Sequence, residues 1–289
     1  MDKNDGDTMQ QTLNDGKCIY ADFFGLHSDP FGLTPDPEYY YSSHNHATIL
    51  EWIIYAVEQH EMALVIGEVG SGKTVLSRCL IDYLPEKEYR VCCIINPRLT
   101  ATGMLKEIYR RLFNDEPRYY KNDIINQIQT GLATLFERGI FPVVIIDEAH
   151  MIPSKAVFDE LRLLSNFQTD KQNLLSLVLF GQPELGKRLQ RKYYRAFLQR
   201  IRFTATLNPL TQEEIRDYLI HRLQKAGYLG KEIFPSETIK KIYEITRGIP
   251  RPINHLATFS LMQAMSEESK FVTLPMVKKA AKSIPYLKG

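Results

Sequence analysis

Gly67-Glu68-Val69-Gly70-Ser71-Gly72-Lys73-Thr74 is the stretch on which the reading of this chain turns. It has the pattern GxxxxGK followed by Thr. The apolar run before it, residues 63–66, predicts a buried strand, and residues 72–84 after it predict a helix. A strand-to-helix junction is the context this motif requires. The glycines let the loop wrap around phosphate with its N–H groups turned inward, and a helix N-terminus adds a favourable dipole. Gly67, Glu68, Val69, Gly70, Ser71, Gly72, Lys73, Thr74 and Val75 are therefore predicted to bind ATP. Lys73 is expected to reach the β- and γ-phosphates and Thr74 to ligate Mg²⁺.

Outward from the loop, strand and helix signals alternate. Strands are expected at residues 90–95, 143–146, 175–180 and 201–206. Helices are expected at 45–59, 102–113, 124–138, 154–166 and 185–199. The run Val143-Val144-Ile145-Ile146 has no polar break, as expected of a strand covered on both faces. Together these predict an α/β fold: a parallel sheet flanked by helices. After Pro209 the pattern changes. Thr211 with Glu214 three residues on is a capping box, and helices are expected at 211–226, 236–246, 251–265 and 274–284, a small helical lid domain. The boundaries predicted are a flexible tail at 1–18, a nucleotide-binding domain at 19–208 and the lid at 209–289.

The strand at 143–146 runs into Asp147-Glu148, about 70 residues after the loop. This is a Walker B pattern. Asp147 at the strand end is expected to hold Mg²⁺, and Glu148 to orient and polarise the attacking water. His150 completes a DEAH string with no other helicase motif around it. Its simpler reading is a polar residue capping the next helix.

Composition limits the alternatives. The chain has 289 residues, 44% hydrophobic and 24% charged, which suits a packed core rather than disorder. No run approaches the roughly 20 apolar residues of a membrane span, and residues 1–17 are polar, unlike a signal peptide. No membrane insertion and a cytoplasmic location are expected. Cys18, Cys79, Cys92 and Cys93 lack zinc-ligand spacing and read as small core residues. Net charge is +2 but lopsided: residues 1–184 carry 16 Lys/Arg against 26 Asp/Glu, and residues 185–289 carry 20 against 8. An acidic front and basic rear suggest a polyanion partner or head-to-tail subunit packing.

From about residue 20 to 285 the chain resembles the ExeA/GspA-like AAA+ ATPases. The elements that carry the resemblance are Phe23-Phe24-Gly25-Leu26, Pro30-Phe31, Leu33-Thr34-Pro35-Asp36-Pro37, the loop at 67–74, Ile145-Ile146-Asp147-Glu148-Ala149-His150, Leu161-Arg162-Leu163-Leu164-Ser165-Asn166-Phe167, Phe180-Gly181-Gln182-Pro183-Glu184-Leu185, Gln199-Arg200-Ile201 and Arg247-Gly248-Ile249-Pro250-Arg251-Pro252-Ile253-Asn254. The resemblance implies an AAA+ P-loop NTPase that hydrolyses ATP to ADP and phosphate at subunit interfaces of a homo-oligomer. It implies that Gln182 senses the γ-phosphate or lytic water and that Arg251 reaches the phosphates from the lid. It further implies that Arg200, or failing it Arg202, acts on a neighbouring subunit's ATP, with Arg188, Arg191 and Arg195 as nearby competitors. A polar residue at the second strand's end, here Asn96, restrains the Walker B glutamate in many members.

The family divides by role. Stand-alone members resemble the TnsC, TniB and MuB transposition regulators, which implies an ATP-gated oligomer on duplex DNA with a transposase or other protein partner. Others power type II secretion or pilus assembly, and a third possibility is an ATP-locked protein scaffold. Two basic sets bear on the choice. One is Lys187, Arg188, Arg191, Lys192, Arg195, Arg200 and Arg202. The other, Lys106, Arg110, Arg111, Arg118 and Lys121, is mixed with Tyr109, Tyr119 and Tyr120 and supplies the predicted DNA contacts. Such sets suit sequence-independent phosphate contact. The alternative for both is a solvated face or a basic subunit interface.

Overall fold

The computed structural model describes residues 18–32 and 34–287. The expected tail, residues 1–17 of it, and Leu33 lie outside the described residues.

The chain divides into two compact units. One comprises residues 44–69 and 73–208. The other comprises the described residues up to Ser43, Gly70–Gly72 and Pro209 onward.

The first unit is the α/β body. Its helices and strands, in chain order with a short helix α1 (Ala21–Phe24) belonging to the other unit, are α2 (His44–Glu58), β1 (Met62–Gly67), α3 (Lys73–Tyr83), β2 (Tyr89–Ile94), α4 (Ala101–Phe113), α5 (Lys121–Glu137), β3 (Phe141–Ile146), α6 (Lys155–Leu164), β4 (Ser176–Gly181), α7 (Pro183–Leu189), α8 (Arg195–Leu198) and β5 (Ile201–Leu207). The strands form one sheet in the order β2-β3-β4-β1-β5, and every pairing is parallel. Every residue of β1, β3 and β4 is buried, whereas β2 and β5 alternate in exposure. Central strands covered on both faces read as unbroken apolar runs, and edge strands do not. Helix α4 shows the local logic clearly. Thr100 accepts the Gly103 N–H at 3.1 Å, Met104, Leu105, Ile108 and Leu112 line its buried side, and Asn114 ends it in the left-handed region at φ 51°.

One expected element is corrected. The helix read over 185–199 is two short helices, α7 and α8, joined through a 3₁₀ turn at Lys192–Tyr194. The bend lets Tyr194 and Phe197 both meet the buried Phe158 edge-on, at 5.4 and 5.1 Å between centroids. Aromatic packing on α6 thus bends the run at residues 190–194, where no Gly or Pro marks a break.

The second unit is helical: α9 (Gln212–Lys225), α10 (Ser236–Thr246), α11 (Pro250–Ser266) and α12 (Leu274–Ser283). The expected capping box is present: Glu214 N–H donates to Thr211 Oγ1 at 3.2 Å and Thr211 N–H to Glu214 Oε2 at 2.9 Å. Residues 20–32 and 34–41, read from sequence as part of the 19–208 domain, group with these helices instead. Tyr20, Phe24, Leu26 and Phe31 share one core with Ile215, Leu219, Leu223 and Ile253. Arg222 secures the segment: its Nε donates to the Pro30 carbonyl at 2.5 Å, and its guanidinium lies 5.2 Å from the Tyr39 ring. Apolar residues without a period, followed by prolines, give no sequence signal of which surface they cover.

Candidate functional site

Parallel strands deliver their C-terminal ends to one edge of a sheet, where ligands of such folds bind. Here β4 lies between β3 and β1, with Ile146 opposite Leu179 and Ile66 opposite Gly181. The loop after β1, the acidic pair after β3 and Gln182 after β4 therefore leave from three adjacent strands.

The loop after β1 runs to Lys73, the first residue of α3. Gly70 and Gly72 have φ of +81° and +100°, which residues with a Cβ adopt only under strain. Lys73 is 5% exposed, and its ammonium donates to the Gly67 and Glu68 carbonyls at 2.8 Å each. Val75 is half-buried on α3. Next to Lys73, Thr74 Oγ1 donates to Asp147 Oδ2 at 2.9 Å.

Asp147 is 2% exposed. Its backbone N–H donates to the Ile94 carbonyl at 2.9 Å, and its Oδ1 accepts the Glu148 N–H at 2.8 Å. Burial pushes its carboxyl above the usual range. The Thr74 hydroxyl, the Glu148 amide and the Lys73 charge work against that shift, and the Glu148 charge adds to it. A buried carboxylate beside a hydroxyl is a hard-oxygen donor pair suited to Mg²⁺.

Glu148 follows in the left-handed region, φ +50°, and opens a 3₁₀ turn at Ala149–Met151. Two nitrogens approach its Oε2: Gln182 Nε2 at 3.4 Å and His150 Nδ1 at 3.3 Å. His150 does not cap the next helix as expected; Ser154 holds that position instead. Asn96 is exposed beyond the end of β2 and accepts the Arg98 N–H at 3.4 Å. The structure brings Gln182 to Glu148 and does not bring Asn96 there.

Arg251 stands in the first turn of α11. Gly70 groups with the helical unit, and within it Arg251 N–H donates to the Gly70 carbonyl at 3.2 Å. A Cβ at Gly70 would lie 2.6 Å from that of Arg251. Arg200 and Arg202 are exposed, and no recorded contact among the described residues joins either to Thr74, Asp147 or Glu148.

The two basic sets differ once partners are seen. In the predicted DNA-contact set, Arg110 pairs with Glu116 at 3.1 Å, Arg111 with Glu107 at 2.5 Å and Lys121 with the buried Glu160 at 2.5 Å. Lys106 lies over the Tyr119 ring, and Arg118 is exposed. In the other, no Asp or Glu occurs between Glu184 and Glu213, and Lys187, Arg191, Lys192, Arg195, Arg200 and Arg202 are exposed. Arg188 is the exception. Its guanidinium sits 5.0 Å from Phe158 and 5.2 Å from Tyr194, and it donates to Tyr194 Oη at 2.9 Å and the Ile152 carbonyl at 2.5 Å. A residue read as a competitor for an intersubunit role is a strut within the body.

The described residues hold no group of three or more His, Cys, Asp or Glu that could hold a metal ion. Burial pushes the Cys92 thiol up to about 12, in keeping with a core role. No helix among the described residues is long and apolar enough to cross a membrane.

The chain is similar to several known proteins. The family model of the AAA domain matches residues 57–189. General secretion pathway protein A of Aeromonas hydrophila is 36% identical over 255 residues, covering 87% of this chain and 46% of that protein. The chain therefore spans about half the length of the curated relative it matches. Among solved structures, Cdc6p from Pyrobaculum aerophilum is similar with a TM-score of 0.66 at 19% identity, over 88% of this chain and 70% of that chain. Drosophila ORC bound to DNA gives 0.60 at 18% identity, over 87% and 65%. The RuvB Holliday junction branch migration motor of Thermotoga maritima gives 0.55 at 20% identity, over 83% and 67%. At these identities the structural likenesses show the fold, that of AAA+ P-loop proteins. Within that class, the sequence likeness makes the chain an ExeA/GspA-like AAA+ ATPase.

Proposed function

We propose that the chain binds Mg-ATP and hydrolyses it to ADP and phosphate, as a homo-oligomer that engages duplex DNA. The observation that carries hydrolysis is Thr74 bonded to Asp147 at 2.9 Å with Glu148 one residue on. The residues fit the cofactor: a buried ammonium, a hydroxyl–carboxylate pair and two loop glycines at positive φ, which side-chain-bearing residues adopt only under strain.

Bound Mg-ATP supplies the transferable phosphoryl group and a metal charge that offsets its oxygens. Lys73 binds the terminal phosphates. Thr74 and Asp147 hold the metal. Glu148 accepts a hydrogen bond from water and polarises it. Gln182 orients the same region. Arg251 is a cation in a helix's first turn, a place the helix dipole disfavours, which supports a phosphate-binding role. Arg200 completes the site of a neighbouring subunit.

The DNA reading is carried by the acid-free basic stretch from Lys187 to Arg202. Each Lys or Arg there can neutralise one phosphate without sequence preference. Regulation of transposition through a transposase partner is the role this reading implies. A second reading, an ATPase of type II secretion or pilus assembly, is favoured by the 36% identity to General secretion pathway protein A.

ATP turnover measured with and without Mg²⁺, and with and without duplex DNA, tests both steps. Glu148→Gln is expected to abolish turnover, and intact turnover in that variant overturns the enzymatic reading. DNA binding is expected to weaken steeply with salt. Absence of binding at low salt overturns the DNA reading and leaves the secretion role.

A further inference from the structure

Glu148 is held by a contact that none of the expected roles explains. Its Oε2 faces His150 Nδ1 at 3.3 Å as well as Gln182 Nε2 at 3.4 Å. No partner of Oε1 is recorded among the described residues. His150 lies only two positions away, yet its ring returns to the carboxylate because the chain turns tightly between them. Glu148 sits at φ +50°, Met151 N–H donates to the Glu148 carbonyl at 2.8 Å, and Ile152 N–H to that of Ala149 at 3.2 Å. A non-glycine residue in that region costs on the order of 1 kcal/mol or more and persists only where its surroundings fix it.

The turn is pinned at both ends. Before it, Asp147 N–H is bonded to the Ile94 carbonyl of the neighbouring strand. After it, the Ile152 carbonyl accepts from Arg188, whose guanidinium lies over the Phe158 ring at 5.0 Å and the Tyr194 ring at 5.2 Å. Ala149 is fully buried within it. The His150 side chain is 18% exposed, so its approach to Glu148 is less screened than a contact on open surface.

We propose that His150 is a positioning residue for Glu148: with Gln182 it fixes Oε2, so that Oε1 is the oxygen presented to water. This rests on the reading of Glu148 as the residue that polarises water. A carboxylate free to rotate would spend much of its time in unproductive rotamers. The Gln182 amide donates to Oε2, and the His150 ring packs against it with Nδ1 3.3 Å away but outside hydrogen-bond alignment. Together they limit the rotamers open to the carboxylate before any ligand arrives, and such preorganisation acts on the reaction step rather than on substrate affinity. The sequence position often expected to restrain this carboxylate, Asn96, is bonded to Arg98, which leaves the restraint to His150 and Gln182.

The test is steady-state ATP turnover of the full chain and of His150→Ala, His150→Asn, His150→Leu, Gln182→Ala and Glu148→Gln, with ATP affinity measured separately by calorimetry and folding checked by thermal melting. His150→Ala is expected to lower kcat about 10-fold while KM and ATP affinity stay within about 2-fold. Asn places an amide nitrogen where the imidazole Nδ1 stands, so His150→Asn is expected to recover most of the loss. The His150→Ala/Gln182→Ala double variant is expected to lose less than the product of the two single losses, because both act on one oxygen. Wild-type kcat in His150→Ala, a loss confined to KM, or no recovery in His150→Asn overturns the proposal. If His150→Ala does not fold, His150→Asn against His150→Leu decides on the same criteria. Full turnover in Glu148→Gln, or none in the wild type with or without DNA, overturns the underlying reading of hydrolysis. Loss in Glu148→Gln with no effect at His150 overturns this inference alone.

Discussion

Thr74 Oγ1 donates to Asp147 Oδ2 across 2.9 Å, joining two residues 73 positions apart in the chain. One stands in the first turn of the helix after β1 and the other directly follows β3, two strands away in the sheet. Removing either group should uncouple the site from metal. Thr74→Ala and Asp147→Asn are each expected to reduce Mg²⁺-dependent turnover by roughly 10²-fold or more. Titrating Mg²⁺ at fixed ATP checks this; an unchanged Mg²⁺ requirement would contradict the assignment.

The basic stretch without acids should dominate any DNA binding. Replacing Lys187, Arg191, Lys192 and Arg195 together by Ala is expected to reduce the slope of log K against log salt by about 3 to 4, from roughly 0.9 per phosphate contact. The same treatment of Lys106, Arg110 and Arg111 should change it by about 1 or less, because Glu107, Glu116 and the Tyr119 ring already engage these groups. Fluorescence anisotropy across a salt series distinguishes the two.

Gly248 sets the entry to α11. Its φ is +78°, and a Cβ there would lie 2.0 Å from the Leu210 carbonyl oxygen, while the Leu210 N–H donates to the Gly248 carbonyl at 2.8 Å. Backbone cannot swing away as a side chain can. Gly248→Ala is expected to destabilise the helical unit by about 2–4 kcal/mol, read as a shift in the urea midpoint.

Arg188 combines two ring faces with two hydrogen bonds. Arg188→Ala should cost about 2–4 kcal/mol. Arg188→Lys should recover less than half, because an ammonium lacks the planar face and the fork of donors. Denaturant unfolding of the three proteins measures both.

His60 gives a pH dependence. Its ring stacks on Phe141 at 3.7 Å, and burial pushes it below the usual imidazole range, against a hydrogen bond to the Asn173 backbone that works the other way. The unfolded chain then binds this proton more readily than the folded one. The contribution is complete above about pH 6.5 and is lost as pH falls from there toward the lower folded value. His60→Asn, which also tolerates the left-handed backbone at φ 59°, is expected to show a smaller fall in Tm between about pH 7.5 and 5.5.

Much of the site is legible in the order of residues along the chain. The glycine loop is contiguous, so its pattern carries its own geometry. Asp147 and Glu148 follow an unbroken apolar run that can only be a covered strand. The capping box at Thr211 is likewise local chemistry written in order. The roles of His150 and Arg188 are not legible in this way. His150 requires the left-handed turn at Glu148, and Arg188 requires Phe158 and Tyr194 to meet around it.

By itself, then, the sequence determined the α/β class, the nucleotide loop, the acidic strand end and the helical character after Pro209, because each depends on periodicity or turn chemistry over a few consecutive residues. Tertiary structure alone decided that β4 separates β1 from β3, that Tyr20, Phe24, Leu26 and Phe31 complete the helical core, that the 185–199 run bends, and which cations keep partners of their own. Those outcomes depend on what each segment meets after the chain has folded back on itself. Lys121 finds Glu160 from 39 positions away, and no local pattern encodes that encounter.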